Sequence, residues 1–276
     1  MAFPRLVAID LDGTLLRSDH TVSARSRAAI VAIRSAGARV VVATARSPRS
    51  VRDLAADAGI GGLAICANGA TVYDLDTERV VAETSLPAAT AHELVRGLRR
   101  RFPGIVFGWE YGLRFGSEPA YEALRGPQWW PRPEGSYDPC DPLEWALPMT
   151  KLLARLPGSD LEQLLAAAAE LAGNTASTTL AGEAFVELLA PGVGKEVALA
   201  RLAAEFGVPR DGVAAFGDHL TDRAMVAWAG HGVAVANAHP AVIAAADEMC
   251  GSNDEDGVAV VLERMAEALL IRGGRP

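Results

Sequence analysis

The stretch Leu6-Val7-Ala8-Ile9-Asp10-Leu11-Asp12-Gly13-Thr14-Leu15-Leu16 opens as a strand and closes on two acids. Leu6 to Ile9 form the short apolar run of a parallel strand covered on both faces. In an extended chain residues i and i+2 point to the same side, so Asp10 and Asp12 leave the strand close together. Open α/β sheets place their ligands at the carboxyl ends of their strands. Two like charges that close repel unless a cation or a shared proton relieves them. For D-x-D alone, a solvated Asx turn with Gly13 at an unusual dihedral reads equally well. The attached Gly-Thr-Leu-Leu favours chemistry.

Outward from this stretch, strands and helices alternate. Ser23 caps a helix that runs to about Ala36 and stops at Gly37. Arg39 to Ala43 is a second buried strand ending in Thr44-Ala45-Arg46, and Ser47-Pro48 starts a helix that Gly59 closes. Leu63 to Cys66 is a third strand, leading to the turn signal Asn68-Gly69, with a hairpin over 71–73 and 79–82 beyond it. The pattern then changes. A helix over 92–101 precedes strands at 105–109 and 113–115. A second round follows, with a strand at 151–156, a helix capped by Ser159 with Glu162 completing a capping box, and strands at 176–180 and 184–189. A helix-plus-strands unit given twice indicates an α+β insert with an antiparallel sheet. Between the rounds, over 126–148, runs a Pro- and Trp-rich loop whose tryptophans read as core of the insert.

From Gly194 the alternation resumes. A helix over 195–206 and a strand over 213–216 lead into Gly217-Asp218-His219-Leu220-Thr221-Asp222. A short helix over 222–229, a strand at 233–235 entering Asn237-Ala238, and helices from Pro240 and Gly257 complete the chain. The expected architecture is α/β. A discontinuous core spans 1–82 and 188–276, and an α+β insert spans 83–187.

Half of the 276 residues are hydrophobic, enough to bury a sizeable core in one large domain or two ordinary ones. The 26 basic and 34 acidic residues leave a net charge of −8, which argues against a general nucleic-acid surface. No apolar run is long enough for a membrane helix, and the N-terminus lacks the layout of a signal peptide. Cys66, Cys140 and Cys250 are far apart and form no metal-type pair. These features lead to the expectation of a cytoplasmic protein, monomer or homodimer, with no membrane or nucleic-acid partner.

Three further polar signals fall at element ends: Thr44 after the second strand, Lys195 at a helix start, and Asp218 with Asp222 one helical turn later. Singly each is ordinary, since a Thr after a strand is usually a cap and a Lys at a helix start is usually solvated. In this order, with Asp10-Leu11-Asp12-Gly13-Thr14-Leu15 at the front, they resemble the four motifs of the haloacid dehalogenase superfamily of phosphohydrolases. The insert lies between the second and third motifs. The tail carries Gly232-Val233-Ala234-Val235-Ala236-Asn237-Ala238 and Asn253-Asp254-Glu255-Asp256-Gly257-Val258-Ala259. Both features are similar to the Cof-type branch, across essentially the whole chain. The resemblance implies a Rossmann-like three-layer core, an α+β cap that sets specificity, and Mg²⁺-dependent phosphatase activity on sugar phosphates and related small phosphorylated metabolites. Two positions depart from it: Ala45 stands where Gly is common, and Thr221 where Asn is common.

The chemistry asks for neutralised phosphoryl oxygens, an in-line nucleophile and a proton for the leaving oxygen. Asp10 suits the nucleophile, through an aspartyl-phosphate, and Asp12 the acid that later acts as base. Mg²⁺ would take Asp10, the backbone carbonyl of Asp12 and Asp218, with Asp222 nearby or through water. The Thr44 hydroxyl, the Lys195 ammonium and the N–H groups of Leu11 and Ala45 would hold the phosphoryl oxygens, with Thr221 offering a hydroxyl beside them. Arg46, Asn68 and His219 also stand near these motifs, and each has an equally simple local role. Three other readings share parts of the pattern: a phosphosugar mutase, a catalytically silent phospholigand-binding protein, and a signalling receiver domain. The last is much shorter and lacks the insert.

Overall fold

The computed structural model describes residues 4–124, 137–158, 160–181 and 185–273. The chain begins with β1 (Leu6–Ile9), α1 (Ala24–Ser35), β2 (Arg39–Ala43), α2 (Pro48–Asp57), β3 (Leu63–Cys66), β4 (Thr71–Asp74) and β5 (Arg79–Glu83). There follow α3 (Ala88–Arg101), β6 (Val106–Tyr111), β7 (Arg114–Ser117), α4 (Pro119–Ala123), β8 (Tyr137–Pro139), β9 (Lys151–Arg155), α5 (Leu161–Ala172), β10 (Ser177–Ala181) and β11 (Phe185–Leu189). The last part comprises α6 (Lys195–Glu205), β12 (Val213–Gly217), α7 (Arg223–Trp228), β13 (His231–Ala234), α8 (Pro240–Ile243), β14 (Glu248–Met249) and α9 (Gly257–Gly273).

These elements form two units. The first takes in Val51–Val81 and the described residues of 1–46 and 194–276. Its sheet has the order β14-β13-β12-β1-β2-β3-β4-β5. The pairs around β1 are parallel, with Ile9 level with Val42 on one side and Phe216 on the other. β4 joins antiparallel to β3. Both faces are covered, which is why the strands read as unbroken apolar runs. Val7, Ile9, Val40, Val42 and Phe216 share one apolar cluster with Ile30 and Ile33 of α1 and Val258, Val261 and Leu262 of α9. Their alternating neighbours Leu6, Ala8, Val41 and Ala215 are equally buried and turn to the other face, where α6 and α7 pack on β3 and β12. The result is a three-layer α/β arrangement.

The second unit takes in Ser47–Ser50 and the described residues of 82–193. Its sheet has the order β10-β11-β9-β6-β7-β8. Its pairs are antiparallel except for β7 with β8. Leu94, Val95 and Leu98 of α3 and Leu164 and Ala168 of α5 cover one face, against Phe107, Trp109, Leu152, Ala154, Val186 and Leu188. The expected return to the first unit at 188 falls inside β11. Pairing of β11 with β9 and β10 keeps that strand whole in the second unit, and the chain crosses back at Gly194.

Local expectations were met where a strong cap or turn residue stood. The Ser23 side chain accepts from the Ser26 amide at the start of α1, and Gly37 and Gly59 end helices with positive φ. Most other boundaries shift by a residue or two, and two helix starts differ for a definite reason. α3 starts at Ala88, not His92, because its first turn is alanine-rich and carries no apolar period. α5 is capped by Asp160, whose carboxylate accepts from the Glu162 amide. Ser159, the expected cap, lies outside the described residues, as do Trp129, Trp130 and Ala184. Trp145 packs half-buried on the second unit's core. Among the described residues no helix is long and apolar enough to cross a membrane.

Candidate active site

The carboxyl ends of β2, β1 and β12 lie side by side in the first unit, and β1 is the point where the strand order reverses. Parallel strands in such a sheet bring the residues that follow them to one edge. Asp10 continues the ladder, its amide donating to the Phe216 carbonyl at 3.1 Å. Thr44 leaves β2 one residue past Ala43, its amide held by the Ile65 carbonyl at 2.8 Å. Asp218 leaves β12 directly after Gly217. Three residues expected at the site thus arrive there by sheet register alone.

Lys195 reaches the same place from the first turn of α6. Its side chain is 1% exposed, and Nζ donates to Asp10 Oδ1 at 2.7 Å and to Asp222 Oδ1 at 2.6 Å. Oδ2 of the fully buried Asp222 accepts from the amides of Asp218, at 3.2 Å, and His219, at 3.0 Å. The Asp222 carboxylate therefore holds both the lysine and the loop that presents Asp218. Asp218 Oδ1 accepts from the Thr14 hydroxyl at 2.7 Å. Carboxylate oxygens of Asp10, Asp218 and Asp222 all lie within 4.8 Å of one another.

Three carboxylates against one ammonium leave this buried cluster short of positive charge. Burial pushes Asp10 well above the usual carboxylate range, and Asp222 adds to it; Lys195 opposes both without prevailing. Burial also raises Asp218, to about 6, with the Thr14 hydrogen bond working against the shift. Burial by itself would lower Lys195, but the carboxylates of Asp10 and Asp222 hold its ammonium above the ordinary lysine value. A divalent cation fits this donor set: hard oxygen ligands, close together, with uncompensated negative charge.

Backbone geometry sets these distances. Gly13 has φ +77°, and a Cβ on it would fall 2.5 Å from Asp218 Oδ2. Ala67, Asn68 and Gly69 have φ of +50°, +56° and +98° in succession. That left-handed run carries the Ala67 amide to the Arg46 carbonyl and the Asn68 amide to the Thr44 carbonyl. It also lays Gly69 against the Gly194 carbonyl, where a Cβ would sit 2.2 Å away. One strained turn therefore fixes both the loop after β2 and the start of α6. Such strain persists only where the surroundings over-determine it.

Not every expected residue turns toward the cluster. The Asp12 carboxylate is 45% exposed and is held by the Arg46 guanidinium through two hydrogen bonds, one of 2.6 Å. The buried Thr44 hydroxyl accepts from the Arg46 amide at 3.1 Å. The Thr221 hydroxyl lies 3.1 Å from Nδ1 of the exposed His219 ring. Leu11 begins the wide turn after Asp10, and Ala45 sits between Thr44 and Arg46. Thr14, to which the sequence assigns no role of its own, is the hydroxyl that grips Asp218. The signal for it was its place one residue after a glycine that must make a tight approach. Arg46 is the partner of Asp12, a pairing between loops that follow two different strands and not one local to the start of α2.

A three-layer α/β sheet with a lysine-bridged acid cluster at its carboxyl edge defines the class: a protein built to hold an anion and a cation together. Residues 7–262 match the haloacid dehalogenase-like hydrolase family. A 5-amino-6-(5-phospho-D-ribitylamino)uracil phosphatase, YcsE of Bacillus subtilis (strain 168), is 30% identical over 92% of this chain and 93% of its own. The pyridoxal phosphate phosphatase YbhA of Escherichia coli (strain K12) is 26% identical over 92% of this chain and 96% of its own. A crystal structure of a haloacid dehalogenase-like hydrolase from Bacteroides thetaiotaomicron superposes with a TM-score of 0.78 at 28% identity, covering 95% and 99% of the two chains. The chain belongs to the haloacid dehalogenase-like hydrolase family.

Proposed function

We propose that the protein is a Mg²⁺-dependent phosphatase acting on small phosphorylated metabolites, sugar phosphates among them, through an aspartyl-phosphate on Asp10. The observation that carries this reading is the buried Asp10–Lys195–Asp222 bridge beside Asp218, since it joins a nucleophile, a fixed cation and the makings of a metal site. The relatives named as phosphatases of phosphorylated small molecules support it.

Asp10, Asp218 and the Asp12 carbonyl would hold Mg²⁺, with Asp222 behind them. When bound, the ion supplies charge neutralisation for the phosphoryl oxygens. The chain's own residues do the rest. The Asp10 carboxylate attacks phosphorus and forms a P–O bond while the bond to the leaving oxygen breaks. Asp12 gives that oxygen a proton, then takes one from the water that cleaves the aspartyl-phosphate and releases phosphate. Arg46 keeps the Asp12 carboxylate at one place on the loop. Lys195, already charged and desolvated, stabilises charge on the transferring group at no cost in reorganisation. Thr44 and the N–H groups of Leu11 and Ala45 complete the phosphoryl cradle, and the Thr221 hydroxyl adds a neutral donor.

All of these groups belong to the first unit, so they read phosphate and say nothing about what it is attached to. The second unit, inserted between Thr44 and Lys195 in sequence, is proposed as the cap that selects the organic part. Release of inorganic phosphate from p-nitrophenyl phosphate, with Mg²⁺ and with a chelator, tests the reading. Turnover with Mg²⁺ alone is the expected result. Equal turnover in chelator would overturn the metal role, and an inert protein would overturn the activity.

A further inference from the structure

We infer that Asn237, braced by Asn253, is a positioning residue that sets the gap between the Asp10–Thr14 segment and Asp218. Both asparagines lie in the tail, more than two hundred residues from the segment they hold. Asn237 Nδ2 donates to the Gly13 carbonyl at 2.7 Å, and its Oδ1 accepts from the Asn253 amide at 3.0 Å. The Asn253 side chain in turn donates to the Leu16 carbonyl at 2.9 Å. Next along the strap, the Asp254 carboxylate accepts from the Ser18 amide and hydroxyl, and Asp256 forms a two-point pair with Arg17 at 2.8 and 2.9 Å. The tail therefore grips residues 13, 16, 17 and 18 in sequence, and Asn237 makes the contact nearest the acids.

The turn that carries Asn237 also holds Asp218 from behind. The His239 amide donates to the Asp218 carbonyl at 2.8 Å. One short turn thus fixes the Gly13 carbonyl and the Asp218 backbone against each other. The interval it fixes has little slack, because Gly13 approaches the Asp218 carboxylate so closely that no Cβ fits, and Thr14 hydrogen-bonds the same carboxylate. Asn237 is exposed, so its bonds are not there to satisfy a buried amide. An amide side chain is needed because one end must donate to Gly13 and the other must accept from Asn253. Aspartate offers no donor, and alanine offers neither end.

The catalytic half of this inference rests on the phosphatase reading, and the structural half does not. The experiment measures both in Asn237→Ala, Asn237→Asp and Asn253→Ala, with Arg17→Ala as a strap variant that leaves Gly13 untouched. For Asn237→Ala on p-nitrophenyl phosphate, kcat is expected to fall about tenfold with KM within about twofold, the effect of one lost hydrogen bond near the reacting groups. Amide hydrogen exchange over 11–18, where Leu15 and Leu16 donate to the Asp10 and Leu11 carbonyls, is expected to quicken about tenfold while Tm holds. Arg17→Ala is expected to lower Tm and leave kcat within about twofold. Wild-type exchange over 11–18 in Asn237→Ala would overturn the brace even if the protein proves not to be a phosphatase. Unchanged kcat with faster exchange, or a kcat loss that merely follows Tm, would overturn the catalytic role.

Discussion

Lys195→Met tests the centre of the site most directly. Methionine keeps the unbranched stem in its buried channel and removes only the charge. In the native protein Nζ lies 2.7 Å from Asp10 and 2.6 Å from Asp222, with all three side chains at most 6% exposed. Removing one partner of a buried ion pair costs about 3–5 kcal/mol. Here two acids lose the same cation, and proton uptake relieves part of the cost, so about 3–4 kcal/mol is expected for the metal-free protein near pH 8. That corresponds to a fall in Tm of roughly 6–15 °C for a chain of this size. The sign of the pH dependence follows from the acids. The proton affinities of folded Asp10 and Asp218, already raised, rise further without the ammonium that opposes them. The folded variant then binds more protons than the unfolded chain, and its stability recovers as pH falls toward about 4–5. Mg²⁺ restores positive charge and is expected to raise Tm more in the variant than in the wild type. Turnover with Mg²⁺ is expected to fall about 10²–10³-fold, as when one preorganised charge stabiliser is removed. Differential scanning calorimetry at pH 5 and pH 8, with and without Mg²⁺, measures the first effects and steady-state kinetics the last. A Tm loss that is equal at both pH values, or kcat within about threefold of wild type, would refute the reasoning.

Asp10→Asn is expected to lower kcat at least ~10³-fold, because an amide forms no phospho-intermediate; the metal-free Tm should hold or rise, since one crowded carboxylate is gone, and substantial hydrolysis would remove Asp10 as nucleophile. Burial pushes Asp218 up to about 6 and Asp10 well above the usual carboxylate range, so bound protons compete with Mg²⁺ as pH falls; calorimetric affinity should weaken by about tenfold per pH unit for each competing proton, and an affinity flat from pH 7 to 5 would contradict it. Thr221→Asn is expected to hold or raise kcat/KM on p-nitrophenyl phosphate by no more than about tenfold, the worth of one neutral hydrogen bond; a tenfold fall at unchanged Mg²⁺ affinity would mean that the Thr221–His219 contact is itself fitted to the substrate. Gly69→Ala combines a residue at φ +98° with a Cβ 2.2 Å from the Gly194 carbonyl, and is expected to cost about 2–5 kcal/mol and to shift Lys195. Wild-type stability and kcat in that variant would show that the contact has slack.

What the chain determined by itself is whatever depends on neighbours in sequence. Val40-Val41-Val42 between Gly37 and Thr44 reads as a strand covered on both faces, and Ser23, Pro48 and Gly59 placed helix ends through their own dihedrals and hydrogen bonds. Asp10, Lys195 and Asp218, which the fold brings into one cluster, each stand at the end of such an element. Tertiary structure decided everything that needs two distant segments at once. That Lys195 serves Asp10 and Asp222 together, that Arg46 holds Asp12, and that Thr14 binds Asp218 depend on sheet register and on one left-handed turn at 67–69. The role of Asn237 was invisible for the same reason: its partner Gly13 lies at the other end of the chain. A side chain's local propensity says how its own backbone will run, whereas its charge state and its partners follow from what the fold packs around it.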